Sequence, residues 1–343
     1  MSSDRFFLGG RIRAKPSDFI VEEVWEDRIC GINYPFLNNF RTSLNARIHK
    51  KRTYLHFTLV KSNWDTIRAL NFIGRRIFCS LKSFGISGMK DKWALTSQRV
   101  SLWKGKMDKL ANLKLPDMFL KDFEYRNDRI TLGNSSGNQF TITIRNIPKD
   151  DEVILRTLRS FEKKVKTEGL PNFFGPQRLG GDNAEVGRAI KNNDLKGAVE
   201  IILKKVQPFI KDGQFENIPK TFWYEKRVLQ YLNRYPNDFA GALRKIPKRI
   251  LRLYTHAYQS KNFNDMLATA IKNNKVPKSM IIPGFNVSKM PNLSTLHIER
   301  KCHLLAKDFK VLKIENGIVK LKFTLGSGEY ASTLLSHLVV SDR

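Results

Sequence analysis

"GNQFTITIRNI", residues 137–147, is where the fold can be read first. From Phe140 to Ile144, apolar residues alternate strictly with threonine. That is the period of a strand with one face on a core. The polar Gly/Asn/Ser stretch before it separates this run from "RITL", so residues 129–148 read as a hairpin or a loop between strands. In that reading Gly137–Asn138 is a turn and Phe140 is the first core residue of the strand. The other reading of Phe140 is an exposed ring that stacks on an unpaired base.

The neighbouring segments extend the pattern. "KDDEVILRTLRSFEKKVKTEG" (149–169) predicts a helix closed by Gly169. Upstream, "PSDFIVEEVWE" (16–26) reads as a turn and a strand, and "TYLHFTLVK" (53–61) as another strand. A helix follows, capped by Ser62 or Asn63, with Asp65 in its first turn. Trp64, Ile67, Leu70 and Ile73 lie on its core face. Residues 30–52 lack periodicity and read as a long loop. From 184 to 275 the pattern is mostly helical. Tyr254, Tyr258 and Phe263 of "LYTHAYQSKNF" form an aromatic helix stripe, read as core. Residues 309–340 return to strands and end in a short helix starting near Gly328. A β-rich start, a helical middle and a β-rich end predict an α+β chain in which one domain interrupts another.

Composition narrows the function. The 343 residues are 41% hydrophobic, with 23 Phe, enough for two cored domains. No apolar run nears the ~18 residues that cross a bilayer. "MSSDRFFLGGRIRAK" shows no signal-peptide pattern, so a cytoplasmic protein is expected. Cys30, Cys79 and Cys302 are scattered and odd in number, which suits reduced thiols. Lys plus Arg number 61 against 32 Asp plus Glu, a formal charge of +29. The cations are spread along the chain, so a folded protein with a broad basic face for a polyanion is expected. The six histidines form no metal-binding spacing, and no dinucleotide, P-loop or GxSxG motif occurs. Neither metal nor cofactor is expected.

Within "GISGMKDKWALTSQRVSLW" (85–103), Asp91 stands between Lys90 and Lys92. It is either a solvated turn residue or a catalytic acid held against a polyanion. The flanking ammonium groups favour its ionised form, which serves as a nucleophile or base. "NFFGPQRLGG" (172–181) is a Gly/Pro elbow between domains, a loop in which Gln177 and Arg178 reach RNA, or both.

Taken together, these segments resemble one family. "SGMKDKWALTSQ" (87–98) resembles the G-x-K-D-[KR]-x-A-x-T-x-Q signature of the TruD family of tRNA pseudouridine synthases. "IRAKPSDFIVEEV", "GNQFTITIRNI", "GLPNFFGPQRLG", "LYTHAYQSKNFN" and "GSGEYASTLLSHL" resemble further family segments, in order, from about residue 12 to 340. The resemblance implies that Asp91 is the catalytic aspartate. It attacks or activates a uridine whose glycosidic bond breaks and whose ring rejoins the ribose through C5. Phe140 would stack on the flipped uracil and Asn138 would hold the site near it. Arg13 would take a place where the family often has Lys. Lys90, Lys92, Gln177 and Arg178 would contact the substrate. Trp93, Phe173, Leu179 and Lys261–Asn262 depart from the family pattern, and the helical middle is shorter than in typical archaeal relatives.

The resemblance also implies a discontinuous catalytic domain, 1–169 and 301–343, on a mixed, largely antiparallel sheet. A mainly helical insertion domain would span 170–300. The two would make a V-shaped monomer whose basic cleft holds tRNA or another structured RNA. The target would be uridine 13, or uridine 35 of tyrosine tRNA. The alternative is a non-catalytic RNA-binding or RNA-chaperone protein on the same scaffold. A metal-dependent nuclease would need clustered carboxylates, and the "DD" and "EE" pairs are scattered.

Overall fold

The quoted alternation becomes a strand, Gly137–Ile144, inside a nine-stranded sheet. The computed structural model describes residues 6–33, 53–210 and 215–339, apart from the side chain of Gln177. Most of the expected long loop, 34–52, lies outside the described residues. The chain divides into two compact units, residues 1–170 with 304–343, and residues 171–303.

The sheet belongs to the first unit. Its strands are β1 (Phe19–Trp25), β2 (Arg28–Ile29), β3 (Tyr54–Ser62), β4 (Phe84–Ile86), β5 (Leu95–Trp103), β6 (Met118–Arg126), β7 (Gly137–Ile144), β8 (Lys307–Glu315) and β9 (Ile318–Gly326). The order is β8-β9-β7-β1-β5-β3-β6, with β2 on β1 and β4 on β5. Every pairing is antiparallel except β1 with β5. The chain has the predicted α+β fold on a mixed, largely antiparallel sheet.

The turn expected at Gly137–Asn138 is not there. Both residues lie in β7, and "RITL" forms no strand. The partners of β7 are β1 and β9, distant in sequence. Alternation specifies a buried face but not which strand lies beside it.

Residues facing each other across a ladder share a face. Phe140 faces Val21 and Phe323, and Ile142 faces Phe19 and Leu321. These side chains form a core with Ile154, Leu158, Phe161 and Val165 of the helix Asp151–Thr167. That helix ends as predicted, with Gly169 at φ +76 and its N–H on the Lys164 carbonyl at 2.8 Å. Leu55, Phe57, Leu59, Val100 and Leu102 form a second core on β3 and β5. The helix Thr66–Arg76 covers it with Ala69, Leu70 and Ile73. Asp65 caps this helix by accepting from the Arg68 N–H at 2.8 Å. Ser62 still belongs to β3, and Ile67 is only half-buried. The closing helix, Ala331–Leu335, starts three residues after Gly328.

The second unit is mostly helical: Pro176–Leu179, Asn183–Lys191, Leu195–Leu203, Trp223–Arg234, Phe239–Leu243 and Lys248–Lys272. A two-stranded hairpin pairs Ser279–Ile282 with Ile298–Lys301. The aromatic stripe is core, as predicted. Tyr254 and Phe263 are buried, and Tyr258 meets Phe285 edge-on at 5.7 Å. Among the described residues no helix is long and apolar enough to cross a membrane.

The helices Asn183–Lys191 and Lys248–Lys272 touch at Gly187, where an added Cβ would lie 2.1 Å from the Tyr254 carbonyl oxygen. Gly187→Ala must push these helices apart, at a cost of ~1–3 kcal/mol. Denaturant unfolding should show that loss, and an unchanged midpoint would refute the tight contact.

Candidate active site

On the shared face of the sheet, the two apolar cores are separated by polar side chains. Glu23 faces Asn138 across the β1–β7 ladder, and Lys61 faces Thr96 across β3–β5. Glu23, Lys61, Thr96 and Gln98 are all fully buried. Buried charge is tolerated only when it is paired and hydrogen-bonded.

Glu23 meets that condition with three donors. They are Lys90 Nζ at 3.0 Å, the Arg99 N–H at 2.7 Å and the Ser87 hydroxyl. Lys90 Nζ also donates to Asn138 Oδ1 at 2.6 Å. Thr66, the first residue of its helix, accepts from the Lys90 N–H at 2.9 Å and donates to Gln98 Oε1 at 2.8 Å. Gln98 Nε2 returns to the Gly88 carbonyl at 3.0 Å. Lys61 Nζ donates to the Asp91 carbonyl at 2.9 Å and to the Trp64 carbonyl at 2.6 Å. Residues 87–91 are thus pinned by side chains from four strands and one helix.

With its backbone anchored, Asp91 turns its carboxylate outward, 54% exposed, onto Arg13 Nη2 at 2.7 Å. Arg13 is itself held at two points. Its guanidinium lies 4.0 Å from the Phe19 ring centroid, a cation–π contact, and its carbonyl accepts from Trp93 Nε1 at 2.9 Å. Its φ of +62 is a strained conformation for a non-glycine residue, stabilised by these contacts.

Burial pushes the Lys61 ammonium down to about 8, with the Asp91 charge opposing that shift. Burial, and then the charge of Glu23, push the Cys30 thiol up to about 11, which leaves it a poor nucleophile.

The structure therefore corrects several expectations. Neither lysine flanking Asp91 in sequence meets its carboxylate. Lys90 points inward, 8% exposed, and neutralises Glu23 instead of facing a substrate. Lys92 is exposed. The cation on Asp91 is Arg13, 78 positions upstream. Phe140 is no free-standing platform. It is 6% exposed, stacked on Phe323 at 5.4 Å and edge-on to Phe19 at 6.3 Å. Two residues along β7 on the face of Asn138, it forms an apolar floor about 7 Å from that residue.

Gln177 and Arg178 belong to the second unit, and the Gln177 side chain lies outside those described. Arg178 Nε reaches Ser260 Oγ at 3.4 Å. The preceding residues act as an internal anchor. Asn172 is buried and bonded to Arg300 and to the Lys301 carbonyl. Among the described residues no three His, Cys, Asp or Glu side chains gather as a metal-ligand group.

Glu23, Lys61, Thr66 and Gln98 were not singled out from sequence. The available signal was a charged residue at a core-facing position of a strand, Glu23 in "FIVEEV" and Lys61 ending "FTLVK".

The Lys61 site makes a signed prediction. Its folded value lies below the ordinary lysine value, so between about pH 8 and 10 the unfolded chain holds a proton that the folded chain has shed. Stability from this site therefore rises with pH across that window. Urea unfolding at pH 7 and 9.5 should show wild type gaining on Lys61→Met. A constant difference would mean Lys61 titrates normally.

A family model for tRNA pseudouridine synthase D (TruD) matches residues 3–283. A relative from Methanococcus vannielii, named "Probable tRNA pseudouridine synthase D", is 32% identical over 287 residues, covering 78% of this chain and 70% of its own. A relative from Methanocaldococcus jannaschii, "Probable tRNA pseudouridine synthase D 1", is 31% identical, covering 76% and 69%. The crystal structure of a TruD protein from Methanosarcina mazei superposes with a TM-score of 0.73 at 23% identity, covering 98% of this chain and 95% of that one. The chain belongs to the TruD family.

Proposed function

We propose that this protein isomerises a uridine of tRNA to pseudouridine, with Asp91 as the catalytic group. The observation that carries the proposal is the Arg13–Asp91 pair. An exposed carboxylate sits on an anchored loop, oriented by a guanidinium that itself lies over the Phe19 ring. The relatives named as tRNA pseudouridine synthases supply the reaction class.

The reaction breaks the N1–C1′ bond, turns the ring and forms C5–C1′. The proton on C5 is lost and N1 gains one, so the atoms balance without oxidant or reductant. Asp91 meets the target nucleoside as nucleophile or base, and fixing it in advance removes much of the orientation cost. Arg13 sets the carboxylate's direction. The ring is extruded from the RNA stack toward Asp91 and lies over the Phe140 floor. Lys92, Gln177 and Arg178 are assigned to RNA contacts, and the charge of +29 draws in the phosphate backbone. The first unit then serves as the catalytic domain and the second as an insertion within it. Position 13, or position 35 of tyrosine tRNA, is the proposed target. The second reading, a non-catalytic RNA-binding protein, gives no role to an oriented, exposed carboxylate.

Pseudouridine mapping of total tRNA after incubation with the protein, in chelator and without cofactor, tests this reading. Wild type should introduce pseudouridine at one position, and Asp91→Ala should lose about 10³-fold or more in rate. Arg13→Ala should lose about 10²-fold through a misdirected carboxylate, and Arg13→Lys less. Retained tRNA binding with no product from wild type would favour the binding-protein reading.

A further inference from the structure

The second unit has an open pocket of about 870 Å³ against the helix Trp223–Arg234 and the turn after Phe239–Leu243. Among the described residues nine line it, and four of these are cations, Arg227, Arg234, Arg244 and Lys245, against 61 of 343 in the chain. None of these described lining residues is acidic. The neighbouring carboxylate, Asp238, is occupied by the Tyr231 hydroxyl at 2.6 Å and the Gly241 N–H at 2.7 Å. Four like charges around one opening repel one another, the Asp238 charge offsets only part of this at Arg244 and Lys245, and a bound anion relieves the rest.

The pocket also has aromatic rings. Tyr231 and Tyr235 pack at 4.9 Å between centroids, and Lys245 Nζ lies 4.3 Å from the Tyr231 ring centroid. Tyr235 is 55% exposed, so a large part of its ring is left for a ligand.

We propose that this pocket binds a segment of RNA. One unstacked base lies against Tyr235, and its flanking phosphates engage Arg227, Arg234 and Arg244. Guanidinium groups match phosphate oxygens in pairs, and an exposed ring between them gives a base a stacking surface. An acidic peptide would use the cations and leave the ring idle. The volume suits a nucleotide. The inference rests on RNA being the substrate of this protein, but not on the chemistry of Asp91.

The test is tRNA binding by the full chain, read by fluorescence anisotropy at several salt concentrations. Asp91→Asn serves as the background so that no turnover intervenes. The substituted pocket residues are exposed, so the fold should survive. Arg234→Gln with Arg244→Gln should raise Kd about tenfold and flatten the slope of log Kd against log salt by about 1 to 2. Tyr235→Ala should raise Kd about fivefold or more with little change of slope. A control that removes two exposed cations of the first unit, Lys109→Gln with Lys114→Gln, should raise Kd less than about twofold. Pocket variants that bind as well as the control would overturn the proposal. So would an unaffected Tyr235→Ala variant, which would leave only a diffuse basic field. Failure of the enzymatic reading looks different: wild type makes no pseudouridine, while the binding differences persist.

Discussion

The Glu23–Lys90 ion pair is the constraint on which the rest of the site depends. Glu23 replaces an apolar residue at a core-facing position of β1, between two hydrophobic cores. Left unpaired, a carboxylate there would cost several kcal/mol. Its pairing draws the Lys90 side chain inward and carries the backbone of residues 87–91 onto the sheet. Thr66, Gln98 and Lys61 then satisfy that backbone at positions dictated by strands and the first turn of a helix. The outward direction of Asp91 follows from the inward direction of its neighbour.

Much of this was legible in the sequence, for reasons that can be stated residue by residue. Alternation in "FTITI" announced β7, and Gly169 marked the close of the helix that packs on it. The proposed catalytic acid, Asp91, stood out because it lies between two lysines in a basic chain. Partnership was not legible. Arg13 meets Asp91 across 78 residues, and Lys90 turns away from the carboxylate beside it. Local charge order suggested that Lys90 and Lys92 would surround Asp91. The cost of leaving Glu23 unpaired overrode that order, and burial is a property of the assembled sheet. Phe140 illustrates the same limit. A ring at the start of a strand reads equally well as a platform or as core, and Phe323, far along the chain, decides for the core.

The two units use charge in different ways. In the first, Glu23 is paired with Lys90 in the interior and Asp91 with Arg13 at the surface. In the second, Arg227, Arg234, Arg244 and Lys245 gather around one pocket with no acid among its described lining residues. The first arrangement fixes geometry and the second favours attraction, as a protein handling a long polyanion requires.

The parallel β1–β5 pair has a consequence for how the protein is made. Ile20 lies beside Leu95, so the segments entering both strands, carrying Arg13 and Asp91, lead in at the same end of the strands. Parallel neighbours this far apart in sequence form slowly, because a long intervening loop must close first. β1 is flanked on its other side by β7, which needs β9, a strand ending at residue 326. A nascent chain still emerging from the ribosome therefore holds the residues of the site long before it holds the sheet that brings them together.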